Sequence, residues 1–193
     1  MRIVAGAWRG RNLVAPPGQA TRPTADRVRQ ALFDMLLHAP WGGRTAIEGA
    51  VVLDAFAGTG AMGLEALSRG AARGVFVESD AAALRALQAN IAACRAGDRC
   101  QVVAGDVLSV GAGEAATLAF LDPPYGQGLV ARAVAHLSRV GWLAPGALIV
   151  AETGRDETWL PPEHVMAERI YGAARILVYR LPDRGAIHAD VDC

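Results

Sequence analysis

The run Val51-Val52-Leu53-Asp54-Ala55-Phe56-Ala57-Gly58-Thr59-Gly60 constrains the fold of this chain more than any other segment. Its β-branched, apolar start reads as a buried strand, and the glycines that end it read as a turn where backbone can approach a ligand closely. A helix from about Ala61 to Arg69 follows. A second strand, Gly74 to Val77, ends in Glu78, eighteen residues after Gly60, which is where a carboxylate reaches ribose hydroxyls. A third, Gln101 to Ala104, leads to Asp106, placed to accept from an adenine amino group or simply to begin a turn. Three successive strands ending in acidic residues put Asp54, Glu78 and Asp106 on one edge of an α/β sheet, and ligands in such sheets bind outside the carboxyl ends of the strands.

A fourth apolar run, Leu118 to Leu121, closes in Asp122-Pro123-Pro124-Tyr125. The plain reading is a proline turn that stops a strand. The chemical reading starts from a nucleobase amine, whose lone pair is delocalised into the ring and which must be reshaped before it can attack an electrophile. The Asp122 carboxylate and the Pro123 carbonyl, held by two residues of fixed φ with Pro124 the second, can both accept from such an amine. They favour a pyramidal nitrogen and stabilise the positive charge that grows on it, the logic of an oxyanion hole with the sign reversed. Tyr125 offers a face for base stacking.

Gly58-Thr59-Gly60-Ala61-Met62-Gly63 also matches the G-x-G-x-x-G dinucleotide fingerprint, with Glu78 in the expected acidic place. In the nicotinamide version the first glycine follows the strand almost at once, so that a helix N-terminus meets a pyrophosphate. Here Asp54 and a three-residue spacer come first. That suits a ligand without phosphates whose amino and carboxylate ends need polar partners, and S-adenosylmethionine is such a ligand.

Five segments in order, Met1 to Gly6, Trp8 to Arg11, Arg22-Pro23-Thr24-Ala25-Asp26-Arg27-Val28-Arg29, Leu53 to Gly60 and Asp122 to Tyr125, resemble the bacterial 16S rRNA guanine-N2 methyltransferases of the RsmD type. The resemblance runs from Met1 to about Leu181. Its N-terminal elements discriminate, because the glycine turn and Asp-Pro-Pro-Tyr are shared by many amino-methyltransferases. Gln30 stands where that family usually has Glu, and Ala173 to Arg180 follow its pattern loosely. The resemblance implies a Rossmann-like class I fold with a mostly parallel seven-stranded sheet and a small N-terminal β-hairpin. It also implies a substrate in 16S rRNA of the small subunit or its assembly intermediate, with ribosomal proteins near by. Expected site residues are Asp122, Pro123, Pro124 and Tyr125 for catalysis, and Thr24, Asp54, Gly58, Gly60, Glu78 and Asp106 for the cofactor. A DNA adenine-N6 or cytosine-N4 methyltransferase and a non-catalytic assembly factor are the competing readings.

Charge supports a nucleic-acid partner by its distribution. The 193 residues carry 19 basic and 19 acidic side chains. The first thirty hold Arg2, Arg9, Arg11, Arg22, Arg27 and Arg29 against Asp26 alone. A basic arm on a neutral body is a footprint for phosphates, so Arg2, Trp8, Arg9 and Arg11 are the candidate RNA-binding residues. Every basic residue is arginine, which together with the abundance of Ala and Gly reflects a GC-rich genome rather than a choice of arginine over lysine. Cys94, Cys100 and Cys193 lack metal spacing and read as free thiols, and no metal is expected. The longest uncharged run, Val140 to Ala151, is too short for a membrane span, and with no signal peptide visible the expectation is a cytoplasmic protein.

The expected layout is an RNA-binding hairpin over 1–22, a methyltransferase domain over 23–182 and a tail over 183–193. Ile3 to Ala5 should pair with Leu13 to Ala15. Thr24 should cap a helix whose Val28, Ala31, Leu32 and Met35 share a buried face. Asp80 should cap the next helix, with Leu84, Leu87 and Ile91 inward, and Leu129, Val130, Ala133, Val134 and Leu137 should form a later stripe. Ala147 to Ala151 reads as a buried strand, and the segments near His164 to Ile170 and Arg175 to Leu181 as an antiparallel pair. Glu152 and Asp156 follow a strand end without an assigned role, and the histidines His38, His136, His164 and His188 are scattered.

Overall fold

The computed structural model describes residues 1–16, 23–162 and 164–183. Arg22, His188, Cys193 and the expected tail beyond Asp183 lie outside them. Strands β1 (Val51–Asp54), β2 (Arg73–Glu78), β3 (Cys100–Ala104), β4 (Ala116–Leu121), β5 (Leu143–Gly154), β6 (Val165–Tyr171) and β7 (Ala174–Arg180) form one sheet in the order β3-β2-β1-β4-β5-β7-β6. The first five run parallel, and β7 is antiparallel to both β5 and β6. Helices α1 (Pro23–His38), α2 (Ala61–Ser68), α3 (Ala81–Cys94) and α4 (Leu129–Arg139) cover it.

Apolar residues continue without alternation along β1 and β4 because both faces are buried. Val52, Leu118, Phe120 and Val150 face a core shared with Leu32, Phe33 and Leu36 of α1, Leu64 and Leu67 of α2, and Leu87 and Ile91 of α3. Their neighbours Leu53, Ala119, Leu121 and Ile149 face the other side, with Val130, Ala133 and Leu137 of α4. Burying each large aliphatic or aromatic side chain contributes about 1.5–3 kcal/mol. Strand order reverses between β1 and β4, and that reversal opens a crevice at their carboxyl ends.

Three expectations need correction. The N-terminal segment makes no strand pair, only an isolated antiparallel bridge between Arg2 and Asn12. Around that bridge the Ile3 amide donates to the Arg11 carbonyl at 2.9 Å and the Leu13 amide to the Met1 carbonyl at 3.0 Å, but the pairing goes no further, because the amides of Val4 and Ala5 donate to the Glu65 carboxylate at 2.8 and 3.0 Å. The arm then passes so close to α2 that a Cβ on Gly6, whose φ is +79°, would sit 1.9 Å from the Ser68 carbonyl oxygen. Helix α1 starts at Pro23, so Thr24 is not its cap, and the Thr24 side chain lies outside what the structure describes. Its buried face is Arg29, Leu32, Phe33 and Leu36, with Ala31 exposed, because an arginine occupies a core-facing position. Strand β5 extends beyond the expected 147–151 because β7 continues pairing with Glu152, Thr153 and Gly154 after β4 has ended.

The expected cap of α3 is present, with Asp80 accepting from the Ala83 amide at 2.7 Å. Within that helix Leu87 and Ile91 are buried and Leu84 is half-buried. Among the described residues no helix is long and apolar enough to cross a membrane.

Candidate active site

Asp54 and Asp122 end the adjacent strands β1 and β4, whose matched pairs include Asp54 with Phe120. Both line a cleft of about 420 Å³, together with Phe56, Ala57, Gly58, Thr59 and Glu152. Asp54 is buried, and its Oδ2 accepts the Gly63 amide at 2.9 Å, within the first turn of α2. Burial pushes its pKa up to about 7, opposed by that hydrogen bond and reinforced by the charges of Asp122 and Glu78. The carboxylate therefore satisfies the helix amide that a pyrophosphate would otherwise meet, which argues against a dinucleotide.

The glycine turn divides its work. Gly58 has φ +53° and, among the described residues, nothing within 4 Å of the place where a Cβ would stand, so backbone is open there to a ligand. At Gly60, with φ +77°, a Cβ would instead strike Leu87 at 2.4 Å, so its bareness serves the core. Glu78 holds the turn from β2. Its Oε2 accepts the Gly58 amide at 2.7 Å, and its Oε1 accepts the amides of Ser79 and Asp80 at 2.8 and 2.7 Å. One of its four lone-pair sites remains for a hydroxyl. Asn90 of α3 supports the turn from beneath: its amide donates to the Thr59 carbonyl at 2.9 Å and to the Val14 carbonyl at 3.0 Å, while its oxygen accepts the Val14 amide. The Asp106 Oδ1 accepts the Leu108 amide at 2.9 Å, so this residue does begin a turn, with Oδ2 left over.

Asp122 is exposed as a residue, while its carboxylate is largely desolvated by the protein around it. Burial raises its pKa well above the usual carboxylate range, and the Glu152 charge raises it further. The Pro123 carbonyl accepts no hydrogen bond among the described residues. Tyr125 is 43% exposed, and its hydroxyl donates to Oε1 of Glu152, which lines the cleft. Burial and that hydrogen bond push the phenol pKa up. Glu157 Oε1 accepts the amides of Gly126 and Gly154, at 2.8 and 3.0 Å, and so staples the loop after Tyr125 to the end of β5. Sequence reasoning left Glu152 without a role and missed Glu157. The signal for Glu152 was its position one residue past Ala151, which pairs with Leu121, as Asp122 stands one past Leu121.

The N-terminal candidates divide as well. Met1 lines the cleft, so Arg2 stands beside its wall. The side chains of Arg2 and Arg9 are exposed and hold no partner among the described residues. Arg11 donates to the Ala93 carbonyl near the end of α3, and Arg99 lies over the Trp8 ring at 5.0 Å, covering one of its faces.

The family model described as Conserved hypothetical protein 95 matches residues 1–180. The chain belongs to this family, the RsmD family. It is 39% identical over 196 residues to ribosomal RNA small subunit methyltransferase D of Escherichia coli K12, covering 98% of this chain and 94% of that protein. The solved structure of the Escherichia coli methyltransferase YhhF superposes with a TM-score of 0.80 at 37% identity, over 95% of this chain and 99% of that one. An RNA methyltransferase from Salinibacter ruber, solved in complex with S-adenosyl-L-homocysteine, shares the fold at a TM-score of 0.62 and 18% identity, over 91% of this chain and all of that one. The family match spans the N-terminal arm as well as the sheet.

Proposed function

We propose that this RsmD-family chain transfers a methyl group from S-adenosylmethionine to the N2 amine of one guanine in 16S rRNA of the small ribosomal subunit. The observation that carries the reading is that Asp54, the open Gly58 backbone and Asp122 line a single cleft at the strand-order reversal, with Tyr125 tied to it through Glu152. The near full-length likeness to a small-subunit methyltransferase supports the choice of substrate.

The cleft suits a cationic sulfonium ligand. Its volume lies within the range of small-molecule sites, and the carboxylates of Asp54 and Asp122 both have raised pKa values that a nearby positive charge would relieve. Glu78 and Gly58 would hold the ribose side and Asp54 the amino-acid side. When bound, the cofactor supplies an electrophilic methyl group. The chain's own task is to accept hydrogen bonds from the amine at Asp122 and the Pro123 carbonyl, to seat the base on Tyr125 and to keep the attack in line. The base must leave its stack to reach this site. Transfer of labelled methyl to small subunits, naked rRNA and DNA tests the reading, with N2-methylguanine in small-subunit rRNA expected. Label recovered only in DNA would replace it with the adenine or cytosine alternative, and no transfer would favour an assembly factor.

Two expectations arise here. Glu78→Ala should weaken cofactor binding about tenfold or more, since it removes a charge-assisted hydrogen bond worth roughly 1.5–3 kcal/mol and frees the Gly58 amide. Titration calorimetry showing unchanged affinity would remove Glu78 from the site. Replacing Arg2 and Arg9 together with Ala should lower the log–log salt slope of RNA binding by about one unit per lost phosphate contact and leave cofactor affinity unchanged. Arg11 is best kept, because its contact with Ala93 is internal to the fold. An unaltered slope would make the arm purely structural.

A further inference from the structure

Asp122 faces the cleft beside a second carboxylate that the reaction as described leaves unused. Glu152 stands one residue past the last matched pair of the parallel strands β4 and β5, as does Asp122, and both line the same cleft. Neighbouring strands lie about 4.8 Å apart, and residues at matched register point to the same face of a sheet. Glu152 is also fixed from its other side, since its backbone pairs with Ile176 of β7. A carboxylate carried on a central strand is held more rigidly than one on a loop. Its Oε1 accepts the Tyr125 hydroxyl, while Oε2 accepts nothing among the described residues.

The Watson–Crick edges of the amino bases differ in a way that this pair can read. Guanine presents two donors side by side, the ring N1–H and the N2 amine. Adenine and cytosine present an amine beside an unprotonated ring nitrogen, which is an acceptor. Two adjacent carboxylates match the first pattern and oppose the second. We propose that Glu152 makes the cleft select guanine, its free Oε2 accepting the N1–H while Asp122 accepts from the N2 amine. This inference rests on the amino-methyltransferase reading above and names the feature that separates guanine from the other amino bases. Tyr125 has a part in it: by donating to Oε1 it leaves Oε2 as the atom that meets the base.

That orientation gives the proposal a sharp test. In Glu152→Gln the Tyr125 hydroxyl still selects the carboxamide oxygen, so the atom presented to the base changes from an acceptor to the Nε2 donor. Small subunits rebuilt with either guanine or 2-aminopurine at the labelled position separate the outcomes, because 2-aminopurine keeps the amine but has an acceptor at N1. The full chain should prefer guanine by about 10²-fold or more in kcat/KM, since a site built to hydrogen-bond a donor strongly rejects the analogue lacking it. Glu152→Gln should lower that preference at least about tenfold. Tyr125→Phe, which keeps the Glu152 carboxylate, should lose rate but retain a preference for guanine.

Equal use of guanine and 2-aminopurine by the unmodified chain would overturn the inference without any variant. So would an unchanged preference in Glu152→Gln with cofactor affinity intact, which would leave Glu152 as a positioning residue for the Tyr125 ring alone. Failure of the broader reading looks different: the unmodified chain would then place no methyl on any guanine N2, and the inference would fall with it.

Discussion

Asp122→Ala is expected to slow methyl transfer by about 10²–10³-fold or more while leaving cofactor affinity within a few fold. The asymmetry follows from geometry. Asp122 follows β4 at the cleft and takes no part in the Gly58 turn, which is held by Glu78 and Asn90. What the variant loses is the acceptor that reshapes the amine and stabilises its growing charge. The pH dependence should carry the same signature. Only the ionised carboxylate is a full acceptor, and its pKa is raised, so kcat/KM should climb with pH along a limb above the ordinary carboxylate range and then level off. Stability runs the other way. The folded chain holds the Asp122 proton more tightly than the unfolded chain, so this group's contribution is fully present below the ordinary carboxylate pKa and is lost as pH rises through the raised one. An Asp122→Asn variant should therefore be slow yet lose less stability as pH rises from the ordinary carboxylate range to about 7. Single-turnover assays with labelled cofactor decide the matter, and near-normal rates would remove the Asp-Pro-Pro-Tyr mechanism.

The second large effect concerns folding. Glu65→Ala should destabilise the chain by about 3–5 kcal/mol, measured by denaturant unfolding, because it leaves buried positive charge without its partner. Glu65 is fully buried on α2 and accepts from the Val4 and Ala5 amides and from Arg69 Nε at 2.8 Å, with Arg29 Nε 3.6 Å away. Arg29 is only 4% exposed and pairs also with Asp26 at 2.8 Å. Removing the carboxylate thus strips two buried guanidinium groups of their shared partner, leaving Arg29 with Asp26 and Arg69 with Asp34 at 3.6 Å, and takes the acceptor from two backbone amides. Glu65→Gln should fall between, since a carboxamide oxygen still accepts but no longer neutralises. A loss below about 1 kcal/mol in Glu65→Ala would mean that water replaces the carboxylate and that the arm docks through Ile3, Leu13 and its bonds to Ser68 and Asn90.

Glu65 also shows why some of the molecule was legible in the sequence and some was not. The strands, the glycine turn and the acidic strand ends are written in neighbouring residues, where an apolar run and the residue that stops it are read together. Asp54, Glu78 and Asp122 were found that way. Glu152 and Glu157 act through partners 27 and 31 residues distant, and Glu65 through partners about 60 residues away, so their roles appear only once strand order and docking are known. The N-terminal hairpin was misread for a related reason. Its turn glycines and apolar flanks satisfy a local rule, but beyond Ile3 the amides of Val4 and Ala5 are claimed by a helix far along the chain. Arg29 misled the reading of α1, because periodicity treats an arginine as a solvent marker and this one faces a buried carboxylate.

Asn90 imposes a constraint of another kind, on which residue types that position tolerates. One carboxamide, 1% exposed, supplies two donors, to Val14 and to Thr59, and one acceptor, to Val14 again. Aspartate has the acceptor without the donors, serine and threonine have one donor on too short a stem, and histidine cannot donate twice and accept at once. Glutamine alone has the right groups, but one methylene too far out for a space already filled. Substitution at Asn90 therefore cannot relax the arm and the glycine turn one at a time: their sequences are free to drift only in ways that leave both carbonyls where a single short amide can reach them.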